Sequence, residues 1–132
     1  MANYCRSPVA EALLRQKFNG RFHILSAGIS PIARADMDIR SRNYLKDKGL
    51  NVEIHTPKRI SKKIVKSCEI IFALDPQVLF LLNNKFKKYQ NKIRLLNSHR
   101  PDIKLNDPFS QNEENYKIIM SQLETVCLEL EL

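Results

Sequence analysis

A short run near the start of the chain combines the residue types that bind phosphate. Asn3, Cys5, Arg6 and Ser7 stand directly before Pro8. The planar guanidinium of Arg6 can hold two oxygens of one phosphate, and Asn3 tolerates the left-handed backbone of a tight loop around an anion. Ser7 and Pro8 predict the cap and the first residue of a helix, whose unpaired N–H groups and dipole attract anions. The run therefore predicts a phosphate-binding loop, with an ordinary capped helix as the alternative.

The residues after this loop predict a helix over 9–18. Val9, Leu13 and Phe18 share one apolar face, which suits packing against a core. Asn19 and Gly20 then supply the left-handed backbone that commonly ends a helix.

Alternating strands and helices are predicted along the rest of the chain. Strands are expected at 22–25, 50–54, 69–74 and 92–96, and helices at 36–48, 61–67, 76–86 and 113–129. Asp36 and Ser61 are the expected caps of two helices, and Pro76 is the expected first residue of a third. A loop is expected over 97–110. Short apolar strands that alternate with helices favour an α/β fold with a parallel sheet.

The opening run resembles the start of the low-molecular-weight protein tyrosine phosphatases, whose pattern is Cys-x-Gly-Asn-x-Cys-Arg-Ser-Pro. Further motifs of that family have counterparts here in the same order: Ser26-Ala27-Gly28, Asp38-Ile39-Arg40, His55 before Lys58-Arg59, Asp75 after an apolar run, and Asp107-Pro108-Phe109. The resemblance covers the whole chain. It implies one domain over 1–132 with a three-layer, Rossmann-like α/β fold, in which helices flank a parallel sheet.

The resemblance places the nucleophile of the family outside the given chain. The reactive cysteine of the family stands six positions before the loop arginine, which here falls just ahead of Met1. The first strand of the family, which leads to that cysteine, has no counterpart either. We therefore expect an N-terminally incomplete domain that is inactive as given. A true start at Met1 would remove buried area from both faces of a parallel sheet.

The activity implied by the resemblance is the hydrolysis of phosphomonoesters through a phosphocysteine, as in a protein tyrosine phosphatase. Arg6 and the loop N–H groups would stabilise the transferring phosphoryl group, and Ser7 would donate a hydrogen bond to the thiolate. Asp107 would act first as general acid and then as base, with Pro108 holding its loop. An ordinary Asp-Pro turn is the alternative for Asp107. No metal or other cofactor is needed.

Cys5 is not expected to replace the missing nucleophile. It is adjacent to Arg6, so the loop between them cannot wrap around a phosphate. Two roles remain open for Cys5: a small buried filler or, by the resemblance, a disulfide partner that protects the nucleophile. With Asn3 and Tyr4, it completes the set of residues expected to bind phosphate.

Supporting roles are implied for residues around the loop. His55 is expected to order the loop through hydrogen bonds, and Asp75 to brace the loop or a basic neighbour. Tyr4 and Phe109 would wall the pocket and stack on an aromatic ring, unless they only pack. Tyr4 replaces the Ile common in the tyrosine phosphatases and the Thr of the arginine phosphatases, so the substrate stays open.

The composition indicates the cellular compartment and the binding partners expected for such a protein. The chain has 132 residues, and its 43% of hydrophobic residues is enough for a core. Its three cysteines lack metal-site spacing and favour a reducing cytoplasm. We expect neither a signal peptide nor a membrane-spanning run. The formal charge of +8 is spread widely, so a solvated surface that steers phosphorylated substrates is favoured over specific nucleic-acid binding.

Three function classes compete for this chain. The first is a tyrosine phosphatase that acts on phosphotyrosine proteins or small aryl phosphates and holds a phosphate or sulfate ion in its loop. The second is a non-catalytic module that binds phosphate or phosphoproteins without hydrolysis. The third is an arsenate reductase of the same fold, which ranks last because no redox cysteine follows the strand that ends at Leu74.

Overall fold

Helices and strands alternate along the chain. The computed structural model describes residues 3–50, 52 and 55–132. The elements in this part of the chain are α1 (Arg6–Phe18), α2 (Ile39–Asp47), α3 (Lys62–Ser67), β1 (Ile71–Ala73), α4 (Pro76–Lys85), a 3-10 helix (Lys87–Lys92), β2 (Ile93–Leu95) and α5 (Glu113–Glu129). The predicted α/β class is confirmed. So are the helices expected at 61–67, 76–86 and 113–129.

The first helix, α1, begins earlier than predicted. Its N-cap is Cys5 and not Ser7. Ser7 lies inside the first turn, where its hydroxyl accepts a hydrogen bond from the side-chain amide of Asn3 at 2.7 Å. The prediction was wrong because Asn3, with a left-handed φ of 70°, already turns the chain into the helix. The other end is as predicted, since the helix stops at a left-handed Asn19.

The second helix, α2, is shorter than predicted because a different aspartate caps it. The carboxylate of Asp38 accepts a hydrogen bond from the backbone N–H of Arg40 at 2.9 Å. Asp36, the predicted cap, instead pairs with the guanidinium of Arg42 at 2.6 Å. The helix ends before Gly49, whose φ of 76° is the left-handed backbone of a helix stop.

Two other helices start at the predicted residues. The hydroxyl of Ser61 accepts a hydrogen bond from the N–H of Ile64 at 3.2 Å and so caps α3. The carboxylate of Asp75 accepts one from the N–H of Val78 at 2.8 Å, and Pro76 is the first residue of α4. These starts depend on neighbours in sequence, which is why the sequence predicts them.

The parallel sheet is narrower than expected within the described residues. Strands β1 and β2 run parallel, with residues 71–73 opposite residues 93–95. A separate parallel bridge joins Gly28 to Arg59. These two strands are the whole ladder in the described part, so the wide sheet of the expected three-layer arrangement is not seen there. Most of the strand expected at 50–54 lies outside the described residues.

The strand predicted at 22–25 is wrong, and side chains of α1 bond one backbone carbonyl there and one backbone N–H just beyond. The guanidinium of Arg15 donates to the carbonyl oxygen of Ile24 at 2.8 and 2.6 Å. The N–H of Ser26 donates to the carboxylate of Glu11 at 2.7 Å. Backbone groups bonded in this way do not join a strand ladder, whatever the apolar content of the segment.

The larger of two apolar clusters joins α1, α2 and α5. The residues predicted on the buried face of α5 are all buried: Tyr116, Ile119, Met120, Leu123, Val126 and Cys127. They belong to one cluster with Val9 and Leu13 of α1. The smaller cluster lies around the strands and contains Val65, Ala73, Leu82, Phe86 and Ile93. The loop at 3–7 therefore opens a helix that is anchored in the larger core.

Two kinds of feature are absent from the part of the chain that the structure describes. None of its helices combines the length and apolar character needed to cross a bilayer. None of its His, Cys, Asp and Glu side chains gather in a group of three that could hold a metal ion.

Candidate active site

Asn3 organises the loop that precedes α1. Its side-chain amide donates to the hydroxyls of Ser7 at 2.7 Å and Ser26 at 2.9 Å. Its side-chain oxygen accepts a hydrogen bond from the backbone N–H of Lys58 at 3.2 Å. The residue is 2% exposed and keeps its left-handed backbone. One buried side chain thus ties the loop to α1 and to two other segments.

His55 supports the same loop from behind. Its Nε2 lies 3.0 Å from the carbonyl oxygen of Asn3, and the side chain is buried. Because a carbonyl oxygen only accepts hydrogen bonds, Nε2 is the ring nitrogen that carries the proton. The contact is of the kind the sequence suggested, and it fixes the peptide that carries the left-handed turn.

Arg6, the first residue of α1, holds a buried positive charge at the helix N-terminus. The side chain is 4% exposed. One nitrogen, Nη2, pairs with the carboxylate of Asp75 at 2.9 Å, and the other, Nη1, donates to the carbonyl of Leu105. A guanidinium has five N–H donors, so donors remain for an anion. Asp75 therefore braces a basic neighbour, and the fixed fork and the helix N-terminus together suit a tetrahedral oxyanion.

The side chain of Cys5 is buried. Burial raises the pKa of this thiol, so it stays protonated at neutral pH and is a poor nucleophile. The carbonyl of Cys5 accepts a hydrogen bond from the hydroxyl of Ser41 at 2.9 Å, and that hydroxyl also contacts the hydroxyl of Tyr116. Cys5 thus packs as a small buried residue between α1, α2 and α5.

The loop at 107–109 carries the predicted acid. The carboxylate of Asp107 is exposed and accepts a hydrogen bond from the N–H of Phe109 at 3.1 Å. Pro108 is fully buried, while the ring of Phe109 is 45% exposed. The loop is therefore pinned by its proline and leaves the carboxylate in solvent.

The aromatic residues of the two loops approach the same arginine. The Tyr4 hydroxyl accepts hydrogen bonds from the backbone N–H groups of Ala33 and Arg34, the latter at 2.7 Å. The Arg34 guanidinium lies 5.6 Å from the ring centre of Tyr4 and 4.8 Å from that of Phe109. Segment 33–34, which the sequence analysis did not select, thus joins the two loops.

One cavity of about 1170 Å³ brings most of the predicted residues together. Its lining includes residues 3–7, Asp107 and Phe109, and it extends over many apolar side chains of α1, segment 22–29, β1 and α4. His55, Asp75 and Pro108 are not among the lining residues. His55 and Asp75 contact the loop from outside the cavity, and Pro108 is buried beside Asp107. The predicted set therefore divides into residues that can touch a ligand and residues that position them.

The first turn of α2 contacts both loops, a role that the sequence did not reveal. The N–H of Asp38 donates to the carbonyl of Tyr4 at 2.9 Å. The guanidinium of Arg40 donates to the carbonyls of Phe109 and Gln111, both at 2.9 Å. The motif at 38–40 was the one sequence signal for this role, but the resemblance links it only to the second helix. Its contacts with the two loops join residues far apart in sequence, so no local pattern predicts them.

Arg40 also fixes the charge of Asp38. Hydrogen bonds from the Arg40 guanidinium hold the pKa of the Asp38 carboxyl below its ordinary value, and the pKa of Arg40 is raised in return. Their ion pair has an N–O distance of 3.0 Å. The pair stays charged at neutral pH and keeps both side chains at the junction of the two loops.

Comparison with known families shows which protein family this chain belongs to. The family model described as low molecular weight phosphotyrosine protein phosphatase matches residues 1–131. The chain belongs to this family. The resemblance that rests on the loop motif and on the ordered motifs after it is therefore confirmed across nearly the whole chain.

Phosphatases of the family align with almost all of this chain. The mouse low molecular weight phosphotyrosine protein phosphatase is 29% identical over 138 residues, which cover 96% of this chain and 87% of the mouse protein. The structure of the tyrosine phosphatase Wzb from Escherichia coli K30 in complex with sulphate matches with a TM-score of 0.89 at 20% identity, covering 96% of this chain and 88% of that chain. The YwlE arginine phosphatase from Geobacillus stearothermophilus matches with a TM-score of 0.87 at 24% identity, covering 96% and 83%. The last two similarities show a shared fold.

Proposed function

We propose that this chain carries the phosphate-binding loop and the acid loop of a protein tyrosine phosphatase. In this proposal it hydrolyses phosphomonoesters when a cysteine thiolate stands six positions before Arg6. The observation that carries the proposal is the buried Arg6 guanidinium. It is braced by Asp75 at the start of α1 and lines the same cavity as Asp107.

The proposed reaction has two steps. The thiolate attacks phosphorus, the bond from phosphorus to the leaving oxygen breaks, and Asp107 gives its proton to that oxygen. Asp107 then takes a proton from water, which attacks phosphorus and breaks the sulfur–phosphorus bond. Arg6 and the N–H groups of the first turn of α1 stabilise the oxygens of the transferring group in both steps. Ser7 donates a hydrogen bond to the leaving thiolate.

The three cysteines of the chain do not suit the role of nucleophile. Burial raises the pKa of Cys5, and it raises that of Cys127 to about 12. Cys68 ends α3 and is not part of the loop. We therefore expect the 132-residue chain to bind phosphate without turnover. A thiolate ahead of Met1 is required for hydrolysis.

Phosphotyrosine proteins and small aryl phosphates are the proposed substrates. Phe109 lines the same cavity as Arg6 and is 45% exposed, so its ring offers an apolar face to an aryl group, while Tyr4 is a buried part of the lining. The structure of Wzb is a complex with sulphate, which supports binding of a phosphate or sulphate ion by this chain. Because the three cysteines are unpaired in the structure, we propose a reducing cytoplasm as the compartment.

The test compares the 132-residue chain with one extended by an apolar strand that ends in a cysteine directly ahead of Met1. We expect the extended chain to hydrolyse an aryl phosphate, and its Cys→Ser version to bind phosphate without turnover. Arg6→Ala should remove both properties. An extended chain that binds phosphate but stays inactive would favour the non-catalytic module. Hydrolysis by the 132-residue chain that is lost on Cys5→Ser would contradict our account of the nucleophile.

A further inference from the structure

We propose that Arg34 is a specificity-determining residue that selects substrates with an acidic side chain next to the phosphorylated residue. The inference rests on the proposed function and adds a second anion contact at the rim of the site. It concerns a segment that no sequence motif marks.

The position of Arg34 is set by the two loops that flank the cavity. Its backbone N–H donates to the hydroxyl of Tyr4 at 2.7 Å. Its guanidinium lies within cation–π distance of the rings of Tyr4 and Phe109. Tyr4 precedes the phosphate-binding arginine by two residues, and Phe109 follows the acid by two. A substrate that enters between these loops therefore passes beside the guanidinium.

The charge of Arg34 has no ion-pair partner among the described residues. Carboxylates pair with other basic side chains of the chain, Arg6, Arg15, Arg40, Arg42, Lys48 and Arg100. The pKa of Asp38 is lowered chiefly by hydrogen bonds from Arg40 and to a smaller degree by the charge of Arg34. Asp38 is nevertheless held by Arg40 and not by Arg34. The N–H edges of Arg34 thus stay available to a ligand.

An acidic side chain is the group that this arrangement fits. Two aromatic rings restrain the guanidinium, so less conformational entropy is lost when it binds. Its planar fork matches the two oxygens of a carboxylate. When a phosphotyrosine enters the cavity, the adjacent residues of an extended peptide lie about 3.5 Å farther along the chain, at the rim. A glutamate there meets Arg34, whereas a glutamine leaves the positive charge unmatched.

The test measures binding, so it uses the 132-residue chain as it is. Two phosphotyrosine peptides differ only in carrying Glu or Gln on both sides of the phosphotyrosine. We expect the Glu peptide to bind about fivefold more tightly at about 50 mM salt, with a smaller preference at higher salt. Arg34→Gln should remove the preference, and Arg34→Lys should keep part of it.

Arg94→Gln is the matched control. Arg94 is also an exposed arginine, it lies on β2, and it is not among the residues that line the cavity. Its replacement changes the net charge by the same amount. We expect Arg94→Gln to keep the full preference. A preference lost equally in both variants would mean that overall charge attracts the peptide, which would overturn the proposal.

The remaining outcomes separate this inference from the proposed function. Equal binding of both peptides, abolished by Arg6→Ala, would overturn the role of Arg34 and leave the phosphate site intact. An equal loss of affinity for both peptides in Arg34→Gln would also overturn the role of Arg34. The arginine would then hold the loops in place and would not select the residue next to the phosphotyrosine. Failure of both peptides to bind would overturn the proposed function, and the role of Arg34 with it.

Discussion

The two loops of the site are held in different ways. The loop at 3–7 is buried, and side chains hold it: Asn3 bonds three segments, His55 contacts its backbone, and Asp75 pairs with Arg6. The loop at 107–109 has an exposed acid, and it is held by a buried proline, by a hydrogen bond from Arg40 to the carbonyl of Phe109 and by the Arg34 guanidinium over the Phe109 ring.

In the proposed reaction, this difference separates the loop that binds the anion from the loop that transfers the proton. Buried donors that are held in place by other hydrogen bonds keep their geometry before a ligand arrives, which is how preorganised sites stabilise developing charge. A solvated carboxylate keeps its freedom, and it needs the correct position only when the leaving group must be protonated. Changes in the first loop should therefore cost stability and binding together, whereas changes in the second should affect turnover alone.

The largest effect is expected from removing the Arg6 guanidinium. Arg6→Ala should weaken phosphate binding at least about 100-fold, because charge-assisted hydrogen bonds are lost from a buried site. Isothermal titration with phosphate measures this. Arg94→Ala, at an exposed arginine on β2, is the control and should bind as the unchanged chain does. Phosphate affinity in Arg6→Ala close to that of the control would show that the anion binds elsewhere.

The next effect concerns Asn3. Asn3→Ala should lower the free energy of unfolding by about 3 kcal/mol, because it removes three hydrogen bonds and places Ala, which tolerates the left-handed region less well than Asn, in that conformation. Urea denaturation measures the loss. Asn19→Ala is the matched control, since Asn19 is also left-handed (φ 41°) but exposed. It should lose about 1 kcal/mol, from backbone strain alone. Equal losses would mean that the hydrogen bonds of Asn3 do not stabilise the loop.

A smaller, pH-dependent effect is expected at the junction of the two loops. Arg40 holds the pKa of Asp38 below its ordinary value of 3.8, so the folded state favours the charged carboxylate. The stabilisation is complete above the unfolded-state pKa and is lost as the pH falls through the lower folded-state pKa. Asp38→Asn should therefore cost about 1 kcal/mol at pH 7 and nothing at about pH 2.

Unfolding curves at several pH values test whether the stability cost of Asp38→Asn decreases as the pH falls. Asp102→Asn, at an exposed carboxylate paired with Arg100, is the control and should change stability less than Asp38→Asn at pH 7. A penalty for Asp38→Asn that stays constant down to pH 2 would show that the side chain acts as a neutral cap and not as the partner of Arg40.

The smallest effect on the folded chain is expected from Asp107. Asp107→Asn should change the free energy of unfolding by less than about 0.5 kcal/mol and the phosphate affinity by less than about twofold relative to the unchanged chain, because the carboxylate is exposed. In the chain extended with a cysteine, the same change should lower turnover of an aryl phosphate about 100-fold. A loss of stability or of binding as large as that from Asn3→Ala would remove the distinction between the two loops.

Local signals in the sequence were enough for the elements whose ends depend on near neighbours. The pattern at 113–129 predicted α5 with its actual limits and buried face, and Pro76 predicted the start of α4. The loop motif predicted the left-handed Asn3. Caps and apolar periodicity depend on residues three or four positions apart, so a single sequence contains them.

The features that could not be predicted depend on distant neighbours. Asp36 and Asp38 are equally good caps by type, and the contacts of Asp38 with Tyr4 and Arg40 accompany the choice. The segment at 22–25 has the composition of a strand, but the guanidinium of Arg15, nine residues before it, bonds the carbonyl of Ile24. The position of Arg34 over two rings likewise joins residues far apart in sequence.

The hydroxyl contact between Tyr116 and Ser41 has a practical consequence. The chain has four tyrosines and no tryptophan, so its ultraviolet emission comes from tyrosine alone. Tyr4 lies in the loop at 3–7, and Tyr116 contacts the Ser41 hydroxyl that bonds the carbonyl of Cys5. Half of the intrinsic fluorophores therefore sit in or against the loop. The tyrosine fluorescence of the unlabelled protein should therefore report ligand binding or conformational change at the start of α1.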